Sequence, residues 1–283
     1  MKNVYIIGVG LIGGSLALDI KALFPDTSIF GIDTNENHLN DAIQLKLIDA
    51  KATFNDLQHA DFVILAIPVD ATVNELPKIL DLVPDHCLVM DVGSTKGDIC
   101  KSVENHPKRR NFLAAHPIAG TEFSGPKAAI PHLYRNKANI ICEVEKTAFK
   151  LQEFALKLFA DLGMRIRYMN PEAHDKHIAY VSHLSHISSF MLGKTVIEKE
   201  KNERDIFDMA GSGFASTVRL AKSSPEMWKP IFKQNKTNVI EILDDYIQNL
   251  TKFKEFMKAD DFDQIYNEMK NTNYIKDILK GIA

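Results

Sequence analysis

The sequence predicts an α/β protein: a doubly wound, mostly parallel sheet over residues 1–170, followed by an all-α domain over residues 171–283. Three observations carry this. Short β-rich runs alternate with helical patterns through the first 170 residues, which is how successive βαβ units read. FVILAI at 62–67 and CLVMDV at 87–92 are nearly continuous apolar runs, as expected of parallel strands buried on both faces. After Asn170 the β character disappears and only helical periodicity remains. A chain of 283 residues also exceeds the size at which one hydrophobic core usually stops growing, so two domains are the default.

In chain order, strands are expected at 3–7, 28–32, 61–67, 87–92, 111–115, 138–143 and 164–168. Helices are expected between them at 12–24, 36–46, 71–82, 96–103 and 147–161. The second half reads as helices at 171–198, 204–209, a short piece after Gly213, 225–256 and 261–282. Ser224-Pro225-Glu226 supplies a cap, a first-position proline and a first-turn acid, and Pro230 further in is expected to kink or restart that helix. The charged run EKEKNER at 198–204 reads as a solvated helix end or turn.

Composition narrows the function classes. With 45% hydrophobic and 25% charged residues the chain is globular, and a net charge of -3 provides no field to attract nucleic acid. Cys87, Cys100 and Cys142 are odd in number and far apart, so neither a disulfide framework nor a CxxC metal site is read, and a cytoplasmic location fits. The apolar N-terminus is interrupted by glycines and Asp19 and reads as strand, turn and helix, not a signal peptide; no run of eighteen uncharged apolar residues suggests a membrane span.

The chemistry starts at Gly8-Val9-Gly10-Leu11-Ile12-Gly13, a GxGxxG between a strand and a helix. Gly8 permits the tight turn, Gly10 admits a pyrophosphate close to the backbone, and Gly13 lets the helix pack on the strand. The phosphates would sit on the helix N-terminus, at the N–H groups around Leu11 and Ile12. Asp33 ends the next strand, 20 residues beyond Gly13, where a carboxylate accepts from ribose hydroxyls and repels a 2′-phosphate. This is a Rossmann-type dinucleotide site, with NAD expected over NADP.

Ligands in open α/β sheets bind outside the carboxyl ends of the strands, so the residues there are the candidates for the site. Ile67 and Pro68 end the third strand beneath the cofactor. Ser94 follows the fourth and either caps a helix or orients a reacting group. Lys96 reads as a first-turn surface lysine. His116 ends the fifth strand in an irregular loop, HPIAGTEFSGP at 116–126, and is the candidate for proton transfer because imidazole titrates near neutral pH.

In the helical half, Asp175, Ser182 and His186 are spaced 7 and 4 apart, which puts them on one face of a continuous helix with His183 pointing elsewhere. Zinc is disfavoured because no cysteine or HExxH pattern accompanies these histidines. Arg219 follows the glycine-rich stretch Gly211-Ser212-Gly213 and is a candidate carboxylate clamp.

Taken together, GVGLIGGS at 8–15, DVGSTKG at 91–97, HPIAGTE at 116–122, Asp175 with SHLSH at 182–186, and GSGFASTVRLA at 211–221 resemble the bacterial prephenate and arogenate dehydrogenase family, in family order across most of the chain. The chain departs from the family at Ser185, where proline is frequent, and at Ser212, where glycine is. The resemblance implies NAD-dependent oxidative decarboxylation of prephenate to 4-hydroxyphenylpyruvate in tyrosine biosynthesis, with arogenate as the alternative substrate. It implies His116 as base, assisted by Ser94, which also borders the cofactor. Arg219 and His186 become the partners of the substrate carboxylates, with Ser182, Thr121, Glu122 and Asp175 as support. A homodimer built on the helices after Pro225 is also implied. The rival readings are an imino-acid reductase or 3-hydroxyacid dehydrogenase of the same architecture and, from another class, an NAD-sensing regulatory protein.

Overall fold

The computed structural model describes residues 1–200 and 205–280. Among them the chain forms one sheet of strands β1 (Asn3–Ile7), β2 (Ser28–Ile32), β3 (Ala50–Lys51), β4 (Phe62–Leu65), β5 (Leu88–Asp91), β6 (Phe112–Pro117), β7 (Ala138–Cys142) and β8 (Arg165–Met169), in the order β3-β2-β1-β4-β5-β6-β7-β8. β1 lies between β2 and β4, so the strand order reverses direction there, at the crevice where such sheets take ligands. Every pairing is parallel except β6 with β7, where His116 faces Ile140 and Pro117 faces Asn139 in an antiparallel register.

Side chains alternate across this sheet, and both faces are buried. Val4, Ile6, Ile64, Met90 and Leu113 pack with Leu16 and Ile20 of α1 (Leu11–Leu23) on one face. Tyr5, Ile7, Val63, Leu65, Val89 and Phe112 pack with Leu76 and Ile79 of α3 (Val69–Leu82) on the other. Helix α2 (Glu36–Gln44) opens on Asn35, whose side chain accepts from the Asn37 N–H, and α4 (Gly97–Ser102) follows β5. Helix α5 (Phe149–Asp161) lies between β7 and β8. The doubly wound sheet expected from the sequence is therefore present. β3, two residues paired to Phe30 and Gly31, had not been expected.

The helical half departs from expectation in two places. The single helix expected at 171–198 is α6 (Pro171–Ile178), a π-helical turn (Ala179–His183) and α7 (Leu184–Glu200). The helix expected at 225–256 runs through Pro230 and breaks instead at Asn235, giving α9 (Pro225–Gln234) and α10 (Lys236–Lys258), with α8 (Ser212–Thr217) upstream. Asn235, at the break, keeps its backbone N–H on the Ile231 carbonyl and turns its side-chain amide to the Asp175 carbonyl at 2.6 Å. The charged run at 198–204 and the start of the helix expected at 204–209 fall partly on residues 201–204, outside the described residues; Phe207–Met209 form a single 3₁₀ turn. The expected last helix resolves into α11 (Phe262–Thr272) and α12 (Ile275–Lys280), its end at 281–282 again lying outside the described residues.

The chain divides into two compact units, residues 1–236 and 237–283. The second unit is helical, with Lys252 paired to Glu268 at 2.5 Å, and it exposes Ile240, Ile247, Leu250, Phe253 and Met257 along α10. Among the described residues no helix is long and apolar enough to cross a membrane.

Candidate active site

The dinucleotide turn is built as its glycines demand. Gly8 has φ +93°, and a Cβ there would stand 2.3 Å from the Ala66 carbonyl oxygen. A Cβ on Gly13 would lie 2.1 Å from the Gly8 carbonyl oxygen, so the helix meets the strand as closely as backbone allows. Gly10 is different: a Cβ there meets only the Gly125 N–H, at 3.9 Å, and the space beside it is open. Helix α1 starts on Gly10 without a side-chain cap, so its first-turn N–H groups, those of Leu11 and Ile12 included, remain for an anion. Asp33 is held at the end of β2 by the N–H groups of Val9 (3.1 Å) and Asn35 (2.8 Å), with His38 at 3.7 Å. An uncapped helix end, a cradle that only glycine permits and a fixed carboxylate at the ribose position fit a bound NAD. Ile67 and the exposed Pro68 lead from β4 into α3 beside it, Pro68 being the residue that starts the helix.

At the carboxyl end of β6, His116 is only 8% exposed, and its Nδ1 lies 2.8 Å from Nε2 of His174. Nδ1 of His174 lies 2.8 Å from Oδ1 of Asp175, whose two oxygens also accept the N–H groups of Lys96 (2.7 Å) and Gly97 (2.8 Å). A carboxylate can only accept, so His174 donates from Nδ1 and presents a lone pair at Nε2. His116 must then donate from Nδ1, which leaves its Nε2 lone pair unused. Burial, the neighbouring His174, the Lys96 cation and His183 together hold the His116 imidazole well below its ordinary value. The group is thus a neutral imidazole with one tautomer enforced, and Nε2 is the nitrogen left able to accept a hydrogen bond or a proton.

Sequence reasoning missed His174 and misplaced Lys96. Lys96 is fully buried, ion-paired with the buried Asp91 and donating to the Ala115 carbonyl at 2.7 Å. The signal was available: Asp91 is an acid inside the buried run CLVMDV, and such a carboxylate requires a cation. The oxygens of Asp175, expected as support for the substrate, are taken by Lys96, Gly97 and His174. Ser94 does not cap α4, whose N-terminal boundary residue is Lys96; its half-buried hydroxyl has no hydrogen-bond partner among the described residues.

The π-helical turn explains the other correction. An extra residue in one turn rotates everything after it relative to a regular α-helix. His183, expected to point away, is fully buried, with Nδ1 3.2 Å from the Asn235 amide that also holds the Asp175 carbonyl. Its Nε2 and the Nε1 of Trp228 are buried with no partner among the described residues, and the rings of Trp228 and Phe232 pack edge-on against it. Burial accordingly pulls His183 down to about 4. His186 lies over Trp228 with ring centroids 3.8 Å apart, and its Nδ1 donates to the Ser182 carbonyl at 2.9 Å, which leaves Nε2 for a ligand. Burial lowers its pKa, and the Arg219 cation lowers it further.

Arg219 lies in a 3₁₀ turn (Arg219–Lys222) after α8, half-exposed, with its guanidinium 3.2 Å from Glu122 of the loop that follows β6. Thr121, exposed beside Glu122, accepts the Phe123 N–H at 3.2 Å. The structure thus brings Arg219 to the His116 loop through Glu122, and His186 to within electrostatic reach of Arg219.

A glycine cradle for a dinucleotide and a forced-neutral imidazole at one sheet edge define an NAD-dependent oxidoreductase. Two family models match in succession: "Prephenate dehydrogenase, nucleotide-binding domain" over residues 16–168 and "Prephenate dehydrogenase, dimerization domain" over 170–271. The chain belongs to the prephenate dehydrogenase family. It is 31% identical to prephenate dehydrogenase of Bacillus subtilis over 98% of this chain and 76% of that protein. It is 29% identical to cyclohexadienyl dehydrogenase of Zymomonas mobilis, over 99% of this chain and 96% of that one. The crystal structure of Aquifex aeolicus prephenate dehydrogenase in complex with hydroxyphenyl propionate and NAD+ superposes with a TM-score of 0.88 at 32% identity, covering 99% of this chain and 98% of that one.

Proposed function

We propose that this chain converts prephenate, NAD+ and no further reactant into 4-hydroxyphenylpyruvate, CO2 and NADH, with His116 as the base for the ring hydroxyl. The observation that carries the reading is the tautomer: the Asp175–His174–His116 chain leaves the Nε2 lone pair of a neutral, buried imidazole at the edge where the dinucleotide turn lies. Bound NAD+ supplies the two-electron acceptor. His116 takes the hydroxyl proton as the C–H bond at that carbon breaks, and returns it to the phenolate oxygen once the ring carboxylate has left as CO2. Loss of that carboxylate makes the ring aromatic, so the protein's work is placement and charge compensation.

Arg219 and the Nε2 of His186 are our candidates for the substrate's carboxylates, with Thr121, Glu122 and Ser182 around them and Ser94 beside the nicotinamide position and the hydroxyl. Glu122 occupies the guanidinium in the free chain, and a carboxylate ligand would take over that contact. We assign residues 1–170 to the dinucleotide and 171–283 to substrate binding and self-association, a division supported by the junction of the two family matches. The apolar row Ile240, Ile247, Leu250, Phe253 and Met257 suits a homodimer contact, and a biosynthetic enzyme of this kind belongs in the cytoplasm.

The test is His116→Asn. Turnover of prephenate followed by NADH absorbance should fall on the order of 10²-fold in kcat with NAD+ affinity retained. Unchanged kcat would remove His116 from the chemistry, and a wild-type protein oxidising only some other hydroxy acid would overturn the substrate.

A further inference from the structure

A lysine with no exposed surface is expensive, and its pairing with an equally buried aspartate does not by itself explain it. Removing two charges from water costs several kcal/mol per ion in general, and well-packed apolar pairs of similar volume are often at least as stable. The Lys96–Asp91 pair must therefore be read by what it touches. Oδ1 of Asp91 accepts the Ala115 N–H at 3.3 Å, and Oδ2 accepts the Gly93 N–H at 2.9 Å. The Lys96 ammonium takes the Ala115 carbonyl, which shares its peptide plane with the nitrogen of His116. Ala115 is thus gripped at both its backbone polar groups, directly before the imidazole. On its other side, the Lys96 backbone N–H donates to Asp175 at 2.7 Å, the carboxylate that orients His174.

One residue thus fixes both ends of the hydrogen-bonded histidine pair: His116 through the Ala115 carbonyl, and His174 through Asp175. We propose that Lys96 is a positioning residue for the reaction, a buried cation that holds the His116–His174 pair in register and sets the electrostatic field at the imidazole. The inference rests on His116 being the base. The charged and titratable groups around His116 are Lys96 and Asp91 from the β5 end, His174 and Asp175 from α6, and His183 from the π-helical turn. Of these, His174, Lys96 and His183 act after burial itself to keep it unprotonated. Removing the Lys96 cation should let the imidazole protonate more easily.

The experiment compares wild type, Lys96→Met and the charge-neutral pair Asp91→Asn/Lys96→Met, the last chosen because it strands no buried charge. Melting temperature and NAD+ titration calorimetry establish folding and cofactor binding. The readouts are the pH dependence of kcat/KM with prephenate and an NMR titration of the His116 imidazole. In the double variant we expect NAD+ affinity within about two-fold of wild type, and kcat lower by about 10-fold or more through misplacement of the base. In Lys96→Met the acid limb and the His116 titration should both move to higher pH, on the order of one unit for a unit charge nearby at an effective dielectric of about 20, and by less in the double variant, where the opposing Asp91 charge is lost as well. A folded, NAD+-binding double variant with the wild-type kcat, together with an unmoved His116 titration in Lys96→Met, would reduce Lys96 to a packing residue and overturn the proposal. Should wild type fail to oxidise prephenate, the functional reading falls, while the His116 titration still decides whether Lys96 sets its field.

Discussion

His183 offers a stability measurement whose size follows from its surroundings. The ring is fully buried between Asn235, Trp228 and Phe232, and its pKa falls to about 4 from the ordinary 6.5. The unfolded chain therefore binds a proton at pH values where the folded chain does not, and stability is lost as pH falls from about 6.5 toward about 4. Between pH 7.5 and 5.5 that difference amounts to about 1.3 kcal/mol, and it saturates near 3 kcal/mol at more acid pH, each pKa unit being worth about 1.4 kcal/mol. Urea unfolding of wild type and His183→Gln at both pH values, at one fixed protein concentration, isolates the term. Wild type should lose about 1.3 kcal/mol more than the variant on going to pH 5.5. Equal losses in the two proteins would show that His183 is not held neutral by its pocket, and the account of the π-helical turn as the device that buries it would fail with it.

Two further outcomes follow from the geometry. Arg219→Ala should raise KM for prephenate by about 10-fold with kcat changed little, the low end for a charge-assisted contact because the guanidinium is half-exposed; a KM equal to wild type in steady-state assays would refute its role as a carboxylate partner. Gly13→Ala should cost on the order of 1–3 kcal/mol or prevent folding, because the added carbon would lie 2.1 Å from the Gly8 carbonyl oxygen; a melting temperature equal to wild type would show that α1 can retreat from the strand.

What the sequence made legible were the features decided by neighbours along the chain. β1 and β2 fall at 3–7 and 28–32 as expected, because β1 is a short apolar run ending at Gly8 and β2 a short apolar run between Pro25-Asp26 and Asp33. The Asn170-Pro171 start of α6 is equally local, with the Asn170 side chain accepting the Ala173 N–H. Starting a helix there puts Pro171, His174, Asp175 and Ile178 on one inward face, which picks His174 over His177. The π-helical turn was beyond reach, because it buries His183 against Asn235, a residue fifty-two positions further along the chain. Lys96 was misjudged for a related reason. A lysine after a glycine and a serine looks solvent-facing until its partners, Asp91 and the Ala115 carbonyl, are brought up from two different strands.

The reversal of β7 against β6 has a topological effect. A parallel successor would have obliged the chain leaving His116 to cross to the far end of the sheet before re-entering it. Because β7 runs the other way, the stretch 118–137 leaves and returns at the same edge. There it is tacked to α1 at three points: the Ile130 N–H on Ser15 (3.0 Å), the His132 N–H on Asp19 (2.8 Å) and the Tyr134 hydroxyl on the Ile12 carbonyl (2.6 Å). A single excursion of chain is therefore fastened to α1, the helix that opens at Gly10, and also carries Glu122 to the Arg219 guanidinium, so the glycine turn and the arginine are tied to the same peptide.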